Sequence, residues 1–141
     1  MIIYTDMVAD LCHFGHLHFL EQIHNKFIKN TNNKLFVGIH NDETVASYKR
    51  LPILNMEERI KTLSFYKYID KIIPNAPITI DKEYIELYNI DKICIPNNRT
   101  NDEIELMCTY PFKIGIIEKM KYTEDISSSI IIERIKKRND I

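Results

Sequence analysis

Residues 13–16 read His-Phe-Gly-His, two imidazoles separated by a Phe-Gly pair and reached shortly after an apolar run, MIIYT. Side chains three positions apart face one side of a first helical turn. Glycine between them lets a ligand approach the backbone, and a helix N-terminus offers free amide N–H groups with partial positive charge. This combination suits phosphate oxygens. In nucleotidyl transfer the α-phosphate gains negative charge as an incoming phosphate attacks it and pyrophosphate leaves. A donor aimed at that charge lowers the barrier by about 3–4 kcal/mol. No enzyme nucleophile is required, because positioning and charge stabilisation carry the reaction. Two other readings compete on the motif alone. One is a helix start with no chemistry. The other is a zinc site, since Cys12, His13, His16 and His18 crowd together; zinc needs three or four converging ligands, and neighbours on an extended stretch point apart.

The elements around the motif follow from pattern. MIIYT (1–5), LFVGIH (35–40), YIDKIIP (68–74), DKICIP (91–96) and FKIGIIEK (112–119) read as short buried strands. Helical spacing follows Gly15 through Leu20, Ile23 and Phe27, and recurs in MEERIKTLSFY (56–66), DKEYIELYN and NDEIELMC. NDETVASYKRLP reads as a polar loop. SSSIIIERIKKR (127–138) reads as a terminal helix, with serine at its N-cap and basic residues in its last turn. Strands alternating with helices imply right-handed crossovers and a mostly parallel sheet of about five strands, in one α/β domain over residues 1–141. Such sheets bind ligands beyond the carboxyl ends of their strands, which is where His-Phe-Gly-His sits relative to the first strand.

Composition narrows the partners. The 19 basic and 20 acidic residues give a net charge of −1, so no global basic field recruits nucleic acid or an anionic membrane. Three cysteines, Cys12, Cys94 and Cys108, form no CxxC and suggest neither a disulfide framework nor a thiolate zinc site. A reducing, cytoplasmic location is the expectation. No apolar run has the length of a membrane span, and the N-terminus lacks the regions of a signal peptide.

The far end of the chain extends the pattern. Residues 122–129, YTEDISSS, resemble the RTEGIST stretch of the cytidylyltransferase family. MVADLCHFGH resembles that family's GxFDxxHxGH signature. VGIHNDETVASYKRLPILNMEER is similar to its VGVxSDE…K…ER segment, YKYIDKIIPNAP to RYVDEVVxNAP, and NIDKICIPNN to xIDxVxHGDD. The resemblance runs in order along essentially the whole chain. It implies a Rossmann-like three-layer sandwich. It also implies CMP transfer from CTP, with Mg2+, to a small phosphorylated alcohol or phosphonate. Phosphoethanolamine or phosphocholine is the favoured acceptor, as in phospholipid-headgroup activation; glycerol 3-phosphate and small phosphonates remain alternatives. A homodimer is expected on the same ground. Because the chain stops just after its last helix, a lipid-sensing amphipathic tail is not expected.

Carried over position by position, the resemblance gives His13, His16 and Lys49 catalytic roles at the phosphates. It gives nucleotide-binding roles to Val8, Ala9, Asp10, Gly15, Asp70, Asn97, Tyr122, Thr123, Ile126, Ser127 and Ser128. It assigns Lys49, Arg59 and Lys67 to the acceptor substrate. Several motif positions differ from the family pattern. Met7 stands for glycine, Ala9 for phenylalanine, Lys67 for arginine, Ile95-Pro96-Asn97-Asn98 for HGDD, Tyr122 for arginine and Asp125 for glycine. Lysine keeps the charge of arginine but lacks its bidentate fork. These departures leave a non-catalytic nucleotide-binding homologue as the rival reading, and an enzyme of the same fold using ATP or another nucleotide as a second.

Overall fold

The structure, a computed structural model, describes residues 1–141. Five strands, β1 (Ile2–Met7), β2 (Lys34–Ile39), β3 (Lys71–Pro74), β4 (Ile90–Pro96) and β5 (Ile117–Met120), alternate with seven helices. The helices are α1 (Phe14–Ile23), α2 (Asp42–Tyr48), α3 (Met56–Leu63), α4 (Lys82–Tyr88), α5 (Asn101–Met107), α6 (Thr109–Lys113) and α7 (Ser128–Lys137). Side-chain caps set most of the helix starts. Asn41, Asp81 and Ser127 each accept a first-turn amide, while Asn55 with Glu58 and Thr100 with Glu103 form reciprocal capping boxes. Helix α4 ends at Asn89 in the left-handed conformation, φ 53°.

Three elements depart from the pattern reading. The polar stretch after β2 is a helix, because Asn41 caps it and Asp42 and Glu43 complement the dipole of its first turn. The start of the expected strand 112–119 is α6, and Gly115 at φ 73° turns the chain into β5. Helix α1 runs on into a π-helical turn, His24–Ile28.

All strand pairs are parallel, in the order β3-β2-β1-β4-β5. The chain therefore builds outward from β1 through β2 to β3, then crosses back to lay β4 on the other side of β1. The point where strand order reverses lies between β1 and β4. Alternate side chains separate two cores. Ile3, Leu35, Val37, Ile39 and Cys94 face Leu20, Ile23 and Leu63 of α1 and α3. Tyr4, Ile73 and Ile93 face Ile85 of α4, with Phe36, Ile95 and Tyr110 packed alongside. One sheet covered on both faces is the three-layer Rossmann-like sandwich that the sequence implies.

Gly38, near the carboxyl end of β2, lies against the Tyr4 and Ala76 side chains. A Cβ there would lie 2.2 Å from the Tyr4 hydroxyl and 2.7 Å from the Ala76 Cβ. Tyr4 is fully buried and its hydroxyl is anchored to that of Tyr84 at 3.1 Å, so it has little room to yield. Gly38→Ala is expected to destabilise the fold by about 3 kcal/mol, read as a lower urea midpoint at unchanged slope. An unchanged midpoint would show that Tyr4 is free to move.

Candidate active site

The loop from β1 into α1 builds the site. His13 is the N-cap of α1 in extended conformation, and its Nδ1 accepts the Gly15 N–H at 3.0 Å. His16 reaches back, its Nδ1 accepting the His13 N–H at 3.2 Å. The two rings stack with centroids 3.9 Å apart. Each Nδ1 is thus an acceptor, so each neutral ring carries its proton on Nε2. Burial, then His13 and Lys49, hold the His16 imidazole down to about 4 against the opposing pull of Asp10. Burial and Lys49 likewise lower His13. Both rings are therefore neutral Nε2–H donors at neutral pH. Gly15 has a more specific purpose than ligand access: a Cβ there would meet His13 Cε1 at 2.9 Å and Ile126 Cγ2 at 3.2 Å. The absent side chain makes room for the capping imidazole itself.

One cleft lies at the carboxyl ends of β1 and β4. It brings together Val8, Ala9, His13, Gly15, His16, Lys49, Tyr122, Thr123, Ile126, Ser127 and Ser128. Lys49 enters from the C-cap of α2, its ammonium pKa lowered by burial and by Arg50. The start of α7 closes the opposite wall. Ser127 caps the Ile130 amide at 3.1 Å, which leaves the first-turn amides of α7 for a ligand. Thr123 is held by His18, with Nδ1 and Oγ1 2.9 Å apart. Cys12 packs against the core, and no three of Cys12, His13, His16 and His18 gather as a zinc site requires.

Five residues assigned to ligands by resemblance have other work. Asp10 is 4 % exposed, and its carboxylate accepts the Ile53 and Leu54 amides at 2.8 and 2.9 Å. Its carbonyl accepts the Ser128 hydroxyl at 2.7 Å. It ties α7 and the segment before α3 to the loop, whose neighbours Ala9 and Leu11 sit at φ 56° and 50°; such residues persist only where the surroundings over-determine them. Arg59 is completely buried. Its guanidinium donates to the carbonyls of Val8, His40 and Leu54 and to Asp42, locking the ends of β1 and β2 together. Asp70 exchanges hydrogen bonds with the backbone of Leu35 at the amino edge of the sheet, about 13 Å of strand from the cleft. Exposed Lys67 is close by that edge, with its ammonium over the Tyr68 ring. Asn97 lies outside the cleft and accepts the Tyr122 amide at 3.0 Å, orienting a cleft residue rather than lining it.

The cleft also contains Asp6 and Phe19, together with the motif positions Met7 and Pro96, none of which the sequence assigned a role. Asp6 had a signal: a lone carboxylate closing an apolar strand, at the end where parallel sheets bind. His40, 3.6 Å from Asp6, had none.

The depressed His16 pKa has a consequence for folding. The ordinary value is 6.5 and the folded value about 4, so within that window the unfolded chain binds more protons. Stability from this group is present above 6.5 and is lost as pH falls toward 4. His16→Gln is expected to flatten that loss in urea denaturation at pH 7 and 5. Parallel losses in the two proteins would contradict the placement of His16.

Comparison with known proteins identifies what carries this site. The model of the cytidylyltransferase-like family matches residues 5–134. Choline-phosphate cytidylyltransferase 2 of Arabidopsis thaliana is 33% identical over 138 residues, covering 96% of this chain and 44% of that protein. A probable choline-phosphate cytidylyltransferase of Schizosaccharomyces pombe is 35% identical over 136 residues, 94% of this chain and 36% of that one. Ethanolamine-phosphate cytidylyltransferase of Dictyostelium discoideum is 30% identical over 135 residues, 94% and 36% respectively. The chain thus spans less than half the length of these relatives. A lipopolysaccharide core biosynthesis protein from Thermoplasma volcanium shares the fold, with TM-score 0.68, 22% identity, and 88% of this chain and 98% of that one covered. With the family's model matched from β1 into α7, the chain belongs to the cytidylyltransferase-like family.

Proposed function

We propose that the protein transfers CMP from CTP to the phosphate of a small phosphorylated alcohol, forming a CDP-alcohol and releasing pyrophosphate. The observation that carries this reading is the paired imidazole cap facing the α7 N-terminus across one cleft. An acceptor phosphate oxygen attacks the α-phosphorus; the bond to the bridging oxygen of pyrophosphate breaks, and that oxygen keeps the electron pair. The acceptor oxygen is already anionic, so no strong base is needed. The His13 and His16 Nε2–H groups donate to phosphate oxygens as charge builds. The Lys49 ammonium and the α7 amides hold the triphosphate in line. The polar side chains of the cleft are two imidazoles, one ammonium, four hydroxyls and a single carboxylate, and no three His, Cys, Asp or Glu side chains gather to hold a metal. The substrate is accordingly written as the magnesium complex of CTP, with the nucleotide as the main ligand of its cation.

Asp6 favours an acceptor with a cationic tail, because it is the one carboxylate among the cleft residues besides the cations of the phosphate end. Phosphocholine and phosphoethanolamine fit that requirement, and relatives that carry those substrates in their names support it. Such a product would be an activated phospholipid headgroup. The test is pyrophosphate release with each nucleoside triphosphate and magnesium against phosphocholine, phosphoethanolamine, glycerol 3-phosphate and 2-aminoethylphosphonate. Release is expected with CTP and an amine-bearing acceptor. His16→Ala should lower that turnover by about 100-fold or more while far-UV circular dichroism stays that of the wild type. Nucleotide binding without release for any acceptor would make the protein a binding homologue.

A further inference from the structure

Asp6 is not alone at the acceptor end of the cleft. His40, the residue after β2, is 6 % exposed, and its Nδ1 lies 3.0 Å from the Ala76 carbonyl. A carbonyl oxygen only accepts, so Nδ1 carries a proton. The opposite ring atom, Nε2, is 3.6 Å from Asp6 Oδ1. A bare Nε2 would turn its lone pair on a carboxylate, whereas a protonated one makes an ion pair across a mostly buried gap. The backbone holds His40 in this position, because its own carbonyl accepts from the buried Arg59 guanidinium. Asp6 keeps 27% of its side chain exposed and lines the cleft.

We propose that His40 is a specificity-determining residue. As an imidazolium it occupies the charge of Asp6, so a cationic acceptor tail must displace that pairing to bind. The inference rests on Asp6 being the acceptor end of the cleft. Below the His40 pKa the carboxylate is already matched; above it the carboxylate is free for an ammonium group. By reciprocity a bound cationic tail must make His40 easier to deprotonate. The surrounding groups do not replace this pair. Tyr4 of β1, Tyr48 of α2, Tyr84 of α4 and Cys108 after α5 all feel the Asp6 charge, and each is driven up rather than down. They stay neutral across the physiological range. Arg59, paired with Asp42, opposes the His40 charge without reversing the shift, and Arg99 contacts Met107 on the exposed side. Burial alone would lower His40, but Asp6 and the Ala76 carbonyl outweigh it and the pKa is raised.

The test compares phosphocholine with glycerol 3-phosphate, which carries the same phosphate monoester on an uncharged tail. His40 protonation is followed by long-range 1H–15N NMR in the wild-type protein, and KM for each acceptor is measured from pH 6 to 8.5. His40 is expected to titrate above 6.5 and to fall in Asp6→Asn. Phosphocholine should lower its pKa by about one unit more than glycerol 3-phosphate does, and the KM ratio should favour phosphocholine by about tenfold more at the alkaline end. His40→Asn, whose amide nitrogen stands where Nδ1 does opposite the Ala76 carbonyl, should abolish that alkaline gain in the ratio. A His40 pKa indifferent to Asp6→Asn, or equally responsive to the two acceptors, overturns the inference; so does a His40 that responds to neither. Absent turnover alongside a His40 that responds selectively to phosphocholine would instead refute the transferase reading and leave this one standing.

Discussion

The reciprocal cap between His13 and His16 is the contact on which the site depends. An ordinary N-cap uses a small oxygen side chain and leaves nothing else behind. Here an imidazole does the capping with one nitrogen and keeps the other for a ligand. The second imidazole repeats this from N3, so one pair of backbone hydrogen bonds starts α1 and fixes two ring tautomers. The same contact explains Gly15, whose missing Cβ leaves space for the His13 ring. Folding energy and chemical readiness come from the same two bonds. Neutral, half-buried rings also give up less hydration than imidazolium ions would when a polyanion arrives, and gain attraction as its charge grows.

The cap would be of little use without walls set at the right distance. Two buried charged residues provide them by bonding backbone, not ligand. Asp10 gathers the segment before α3 and the α7 N-terminus onto the loop after β1. Arg59 joins the carboxyl ends of β1 and β2 through three carbonyls and Asp42. Each is a buried charge whose hydrogen-bonding capacity is met by several partners, the condition under which such a charge is tolerated. The strain of left-handed Ala9 and Leu11 is concentrated beside them, next to the chemistry.

Much of the architecture was legible because strands buried on both faces are short and apolar, and MIIYT and LFVGIH are unmistakably so. The motif's place beyond the carboxyl end of the first strand followed from alternation; the strand order, and with it the switch point between β1 and β4, did not. What escaped was local. α2 is held by a single asparagine cap at the head of a polar stretch, and α6 by contacts around Cys108 and Gly115, neither of which has an apolar period. At the site, motif matching found the residues of the cleft wall well. It could not separate residues that touch a ligand from those that position the ones that do. Asp10 and Arg59 occupy motif positions and bond backbone groups; Asp70 sits in a motif yet lies at the other edge of the sheet. Burial decides between these roles, and burial is a property of the assembled chain. His40 ends a strand pattern without any sign of a site role, because its partner Asp6 is brought beside it only by the pairing of β1 with β2.

The central claim is that both imidazoles stand as neutral Nε2–H donors before any nucleotide arrives. Long-range 1H–15N NMR of the free protein at pH 7 reads this directly, since protonated and bare ring nitrogens resonate far apart. The account predicts a bare Nδ1 and a protonated Nε2 for both His13 and His16. Protonation on Nδ1 of either ring, or an imidazolium at His16, would contradict it, because the cap cannot form from such a ring.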